Sequence, residues 1–190
     1  MTLGNRATLK HLINDKIPKD ATFYFDTNFP ISAIFQDERN SFRHKAVIKF
    51  IKRLLDSKAQ IACASILFEE FFRASVRVEL ARGQYSKKEI NRALSGGKPK
   101  IISYHIKDIE KNMFLFNELL SKFGTRRRVI LPSEPGIIEK ILETRCKYNL
   151  HEADAFHLGT MLFGKHKHFI SFDKNDFKKI PGINLWCKHE

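Results

Sequence analysis

Four acidic residues stand where carboxylates could act together. Asp26 directly follows the apolar run Thr22–Phe25, and Asp173 follows His168–Ser171 almost at once. Glu70 lies in the segment after Gln60–Ala64, and Asp154 opens a late helical pattern. Thr22–Phe25 is short, β-branched and aromatic, and ends abruptly, as a buried strand does, and Gln60–Ala64 and His168–Ser171 read as two further short strands. In an open parallel sheet, ligands bind beyond the carboxyl ends of the strands, so acids 44, 84 and 19 positions apart can meet there. Carboxylates crowded into one pocket repel, and some must protonate unless a cation compensates them. Hard oxygen donors without His or Cys companions suit Mg²⁺ or Mn²⁺ rather than zinc. Such a site can turn a water into a nucleophile and stabilise a phosphate under in-line attack.

The elements that would carry these groups alternate. Between Arg43 and Leu55, the residues Ala46, Val47, Phe50, Ile51, Leu54 and Leu55 form one helical stripe. Ser65 is placed to cap the next helix, which carries Ile66, Leu67, Phe71 and Phe72. Ser86 and Glu89 have the spacing of a capping box, and Gly96-Gly97-Lys98-Pro99 reads as a loop. Further helices are expected over Lys107–Phe123, Ile137–Tyr148 and Ala153–Phe163, with Pro132 and Pro135 breaking the chain before the second. Strands alternating with helices imply an α/β fold with a largely parallel sheet. A length of 190 residues fits a single domain over 1–190.

Composition narrows the function classes. A net charge of +13 and a pI near 9.8 favour a polyanionic partner, most simply nucleic acid. Cys63, Cys146 and Cys187 are far apart and odd in number, which supports neither a disulfide framework nor a zinc knuckle. No run approaches the roughly 20 apolar residues that span a bilayer, and the N-terminus lacks a secretory apolar stretch. The expectation is a soluble, cytoplasmic protein with no membrane partner. A GxSxG turn and Walker spacing are both missing.

The local wording around the acids carries more. Phe23-Tyr24-Phe25-Asp26-Thr27-Asn28, then Ser65 to Ala74 around Glu69-Glu70, then Asp154-Ala155-Phe156-His157-Leu158, then Phe169 to Phe177 resemble, in order, the motifs of the PIN-domain nucleases, a family that includes the VapC-type toxins. The resemblance runs from Thr22 to Phe177, with 82–135 matching nothing in particular and standing as a basic helical insertion. It implies a three-layer α/β/α fold and Mg²⁺- or Mn²⁺-dependent cleavage of phosphodiesters, usually in RNA. It makes Asp26, Glu70, Asp154 and Asp173 the catalytic metal ligands, with Asn28 and Ser171 as polar supports and Asp176 as a further acid. Glu70 rather than Glu69 fits, because Ser65, Phe71, Phe72 and Ala74 stand at the family's offsets only from Glu70. The family's partners would be an RNA substrate and, for a toxin, an antitoxin protein; a homodimer is a further option. A catalytically weak nucleic-acid-binding PIN module and a structure-specific DNA nuclease are the alternative functions.

Plainer readings stand beside these. Asp26-Thr27-Asn28 could merely cap the next helix, Asp154 could serve a helix dipole, and Asp176 could be a turn residue. Adjacent helix positions point about 100° apart, so Glu69 should face solvent. No histidine has a spacing that demands a catalytic role, and His166-Lys167-His168 looks like a basic surface turn. From Arg73 to Arg128, fourteen Lys and Arg face five acids. This is either a solvated helical face or a surface that tracks phosphates, the second naming Arg73, Arg77, Lys98, Lys100, Arg126, Arg127 and Arg128. Tyr85, Tyr104 and Phe123 are candidate stacking platforms there.

Overall fold

The computed structural model describes residues 6–35 and 41–187. The six strands among the described residues are β1 (Thr8–His11), β2 (Thr22–Phe25), β3 (Gln60–Ala64), β4 (Arg127–Ile130), β5 (His168–Ile170) and β6 (Asn184–Cys187). They form one sheet in the order β1-β6-β5-β2-β3-β4, and every pair is parallel. The helices among the described residues are α1 (Asn28–Ile34), α2 (Ser41–Asp56), α3 (Ile66–Arg82), α4 (Lys87–Leu94), α5 (Pro99–Ser103), α6 (Ile106–Ser121), α7 (Ile137–Tyr148), α8 (Glu152–Phe163) and α9 (Lys174–Phe177).

Alternation along the strands sorts side chains onto two faces. Phe23, Phe25, Ile61, Cys63, Ile170 and Trp186 pack with α1, α2, α3 and α6. Tyr24, Ala62, Ala64, Phe169, Leu185 and Cys187 pack with α7, α8 and α9. Both faces are covered by helices, which gives the three-layer α/β/α arrangement the sequence led us to expect. A smaller cluster of Val76, Leu80, Ile90, Ala93 and Ile109 joins the far end of α3 to α4 and α6. Buried Glu79 ties α3 to α6 by accepting from Asn112 Nδ2, and it also accepts from Arg82 on its own helix, both at 2.8 Å.

The chain runs outward from β2 through β3 to β4, then returns across the sheet to β5 on the other side of β2. That reversal opens a crevice beyond the carboxyl ends of β2 and β5, and Asp26 and Asp173 stand there. α8 approaches the crevice from the other layer because Gly159 lets it close on α7. A Cβ at Gly159 would lie 2.6 Å from the Ile141 Cα.

The stretch 82–135 carries the end of α3, then α4, α5 and α6, and a short 3-10 turn at Gly124–Arg126. It then returns to the sheet as edge strand β4, which has Val129 and Ile130 turned inward and Arg127 and Arg128 exposed. The capping box at Ser86–Glu89 forms as its spacing required. Ser65 stands at the N-cap of α3, but its side chain makes no capping bond.

Candidate active site

A cleft of about 600 Å³ opens at this crevice, lined by Asp26, Asn28, Glu70, Asp154 and Asp173, with Arg73 and Arg77 along one wall. All four expected acids therefore meet in one place. Asp26 is 4% exposed and its backbone N–H bonds the Ile170 carbonyl, which locks the end of β2 to β5. Asn28 donates from its backbone to Asp26 Oδ1 at 3.0 Å and from its side-chain amide to Asp173 Oδ2. It thereby joins the first and fourth acids. Buried Ser171 accepts from the Asp173 backbone at 3.0 Å, which bends the chain after β5 toward the cleft.

Thr27, at the N-cap of α1, does not cap it with its side chain, although Asp26 Oδ1 accepts from the first N–H of that helix. The Thr27 hydroxyl instead donates to Glu70 Oε2. Glu70 thus faces inward from α3, while Glu69 stands at the rim with its side chain 68% exposed and an ion pair to Arg73 at 3.4 Å.

The charges are under strain. Burial, with a further push from the Asp173 charge, raises the Asp26 carboxyl to about 7 against its ordinary 3.8, despite relief from His157 and Ser171. Burial also raises Asp154, and the charges of Asp173 and Asp176 add to it. Glu70 moves the other way. Burial pushes it up, but its hydrogen bond to His157, the His157 charge and the Thr27 hydroxyl together bring it below its usual value.

A donor set of carboxylates and an amide, two of them resisting ionisation, fits a hard divalent cation. As the side chains stand, no three His, Cys, Asp or Glu among the described residues are gathered closely enough to enclose an ion. Glu70 commits its Oε2 to Thr27 and His157, and Asn28 spans Asp26 and Asp173.

His157 is what sequence reasoning overlooked. It lies one turn after Asp154 on α8, is 3% exposed, and places Nε2 2.7 Å from Glu70 Oε2. The available signal was its i+3 offset from Asp154 on one helix face.

Other expected residues fall elsewhere. Asp176 lies outside this cleft, in an adjoining groove of about 420 Å³ that also holds Arg43, Phe172, Lys174 and Lys178 and shares Asp173 with it. Lys98 and Lys100 flank the start of α5 and do not line the cleft. Arg126 and Arg127 sit at the amino end of β4, opposite the end that carries the acids; Arg126 reaches the Ala59 carbonyl and Arg128 pairs with Glu134 at 3.5 Å. Phe123 is in the core, which removes it as a stacking platform. His168 is a strand residue accepting from Trp186 Nε1 at 3.0 Å, so it belongs to no surface turn.

The PIN domain family profile matches residues 23–183, which spans all four acids and the whole crevice. The chain belongs to the PIN-domain family. Members of this family are generally nucleases, and the PIN fold accounts for the crevice and its acids together. Among solved structures, the chain is similar to VapBC2 from Rickettsia felis bound to a DNA fragment from their promoter. The identity is 16% and the TM-score 0.50, with 87% of this chain and 97% of that one covered. A toxin–antitoxin complex from Klebsiella pneumoniae is similar at 22% identity and a TM-score of 0.46, covering 84% of this chain and 93% of that one. No curated protein matches the chain.

Proposed function

We propose that this PIN domain is a Mg²⁺- or Mn²⁺-dependent endoribonuclease that serves as the toxin of a cytoplasmic toxin–antitoxin pair. The observation that carries the reading is the meeting of Asp26, Glu70, Asp154 and Asp173 in one cleft, with Asp26 held near 7 by burial. A divalent cation bound there would offset the carboxylate repulsion, acidify a water and draw charge from the attacked phosphate. Asn28 would hold Asp26 and Asp173 at a fixed separation, and Ser171 would hold the Asp173 loop against the sheet. Arg73 and Arg77, one turn apart on α3, would bind phosphates entering along that wall. The net charge of +13 supports a nucleic-acid substrate, and the likeness to VapBC2 supports an antitoxin partner.

Stability is the first test. A cation that binds only the folded chain raises its melting temperature with concentration. Mn²⁺ should therefore stabilise the wild type, and Asp154→Asn should remain folded but lose the shift. Equal shifts in both at matched ionic strength would place the cation elsewhere.

A further inference from the structure

Glu70 is held through one carboxylate oxygen by two side chains before any ion arrives. Its Oε2 accepts from the Thr27 hydroxyl and lies 2.7 Å from His157 Nε2. An ionised carboxylate can only accept, so Nε2 carries a proton on that side of the ring. The other ring nitrogen, Nδ1, is 3.2 Å from the Tyr24 hydroxyl. Tyr24 is fully buried on β2, two residues before Asp26, and meets the imidazole edge to face at 6.0 Å. The ring is thus fixed from the sheet on one side and fixes α3 on the other. It also shares a helix face with Asp154, three residues earlier, so one rigid element sets two acids.

We propose that His157 is a positioning residue: with Thr27 it clamps Glu70 through Oε2, so that Oε1 is presented to a divalent cation, and Tyr24 fixes the angle of the clamp. This rests on the reading of Glu70 as a ligand. The physical gain is preorganisation. A free Glu side chain loses rotamer entropy when it is ordered, and a clamp meets that cost during folding instead of during ion binding. Partners that orient a ligating carboxylate typically contribute 10–100-fold in metal affinity.

The variants separate a clamp from mere packing. The readout is the MnCl₂ concentration that gives half the maximal rise in melting temperature of the full chain. His157→Asn keeps a polar group near Tyr24 but cannot reach Glu70, and His157→Leu can bond to neither. Both should raise the midpoint about 10–100-fold. His157→Gln carries an amide donor near the place of Nε2 and should stay within about threefold of wild type. In a Glu70→Gln background, His157→Asn should add nothing further, because the effect travels through Glu70.

An unchanged midpoint in His157→Asn would overturn the proposal. A lowered one would overturn it too, since it would mean that the ring competes with the cation for Glu70. A second readout needs no metal: ring ¹⁵N spectra should show a proton on His157 Nε2, and a proton on Nδ1 alone would overturn the clamp. A wild type that shows this proton yet ignores Mn²⁺ would sink the metal reading, and with it the purpose of the clamp. That case is distinct from one in which the clamp is absent.

Discussion

Glu69 and Glu70 have the same chemistry and adjoin each other, yet the fold treats them differently. One helix step turns Glu69 out to Arg73 and Glu70 in to Thr27 and His157. Glu70→Gln should lower the cleavage rate by a factor on the order of 10² or more, because a charge that positions the cation is lost. Glu69→Gln should stay within a few-fold of wild type, since an exposed acid contributes little beyond local charge. Matched losses in single-turnover rates would show that bulk charge matters and register does not. Asp26 makes a different prediction. Its folded carboxyl keeps a proton up to about 7, whereas the unfolded chain releases it near 3.8. Between those values the native state binds more protons, so metal-free stability should fall as pH rises, by at most about 1.4 kcal/mol per pH unit from this group. Asp154 is shifted in the same direction, so Asp26→Asn should flatten the slope without abolishing it. Urea midpoints across that window measure it, and identical slopes would place the Asp26 carboxyl in contact with water. The acids were legible because each is framed by a strand end or a helix face. His157 was not, because a buried histidine is identified by partners 87 and 133 positions away, and no local pattern announces those.

At the scale of elements, the sequence disclosed the long helical stripes and some of the buried strands, but not the interior strand β6 with its buried Leu185, Trp186 and Cys187. β2 and β3 are apolar runs with β-branched or aromatic residues, and α2 and α7 keep a regular stripe, so their places were readable. β1, β4 and β6 were not. Thr8-Leu9-Lys10-His11 and Arg127-Arg128-Val129-Ile130 are edge strands with one or both faces wet, and four residues of mixed polarity are no signal on their own. Reading Arg126–Arg128 as part of a basic insertion followed directly from missing β4. The strand turns that run toward the amino edge of the sheet, about 10 Å along β4 from the end that carries the acids. α3 does the reverse, bringing Arg73 and Arg77 to the cleft on the helix that carries Glu70. Changing both to Gln should raise KM for RNA and reduce the salt slope of binding by about 0.7 for each phosphate that is no longer neutralised. The triple change of Arg126, Arg127 and Arg128 to Gln should affect KM less than this pair. The opposite ranking in a salt titration would mean that the strand approaches over β4.

At the scale of the molecule, one arrangement unites the charge and the acids. The chain carries a large positive excess, yet its cleft gathers four carboxylates, of which Asp26 and Asp154 resist ionisation. A polyanion drawn in by the first meets repulsion at the second unless a divalent cation stands between them. Fold class and the meeting of the four acids could be anticipated, because a parallel sheet brings strand ends to one edge whatever lies between them. The path of the substrate could not, because it depends on which basic residues share that edge. The most direct measurement is cleavage of labelled single-stranded RNA and DNA by the full chain with Mg²⁺, Mn²⁺ or EDTA, alongside Asp154→Asn. RNA should be cut with either metal, DNA far less, and neither in EDTA or by the variant. Cleavage that survives EDTA or Asp154→Asn, or no cleavage of RNA under any metal, would contradict the proposed metal-dependent ribonuclease.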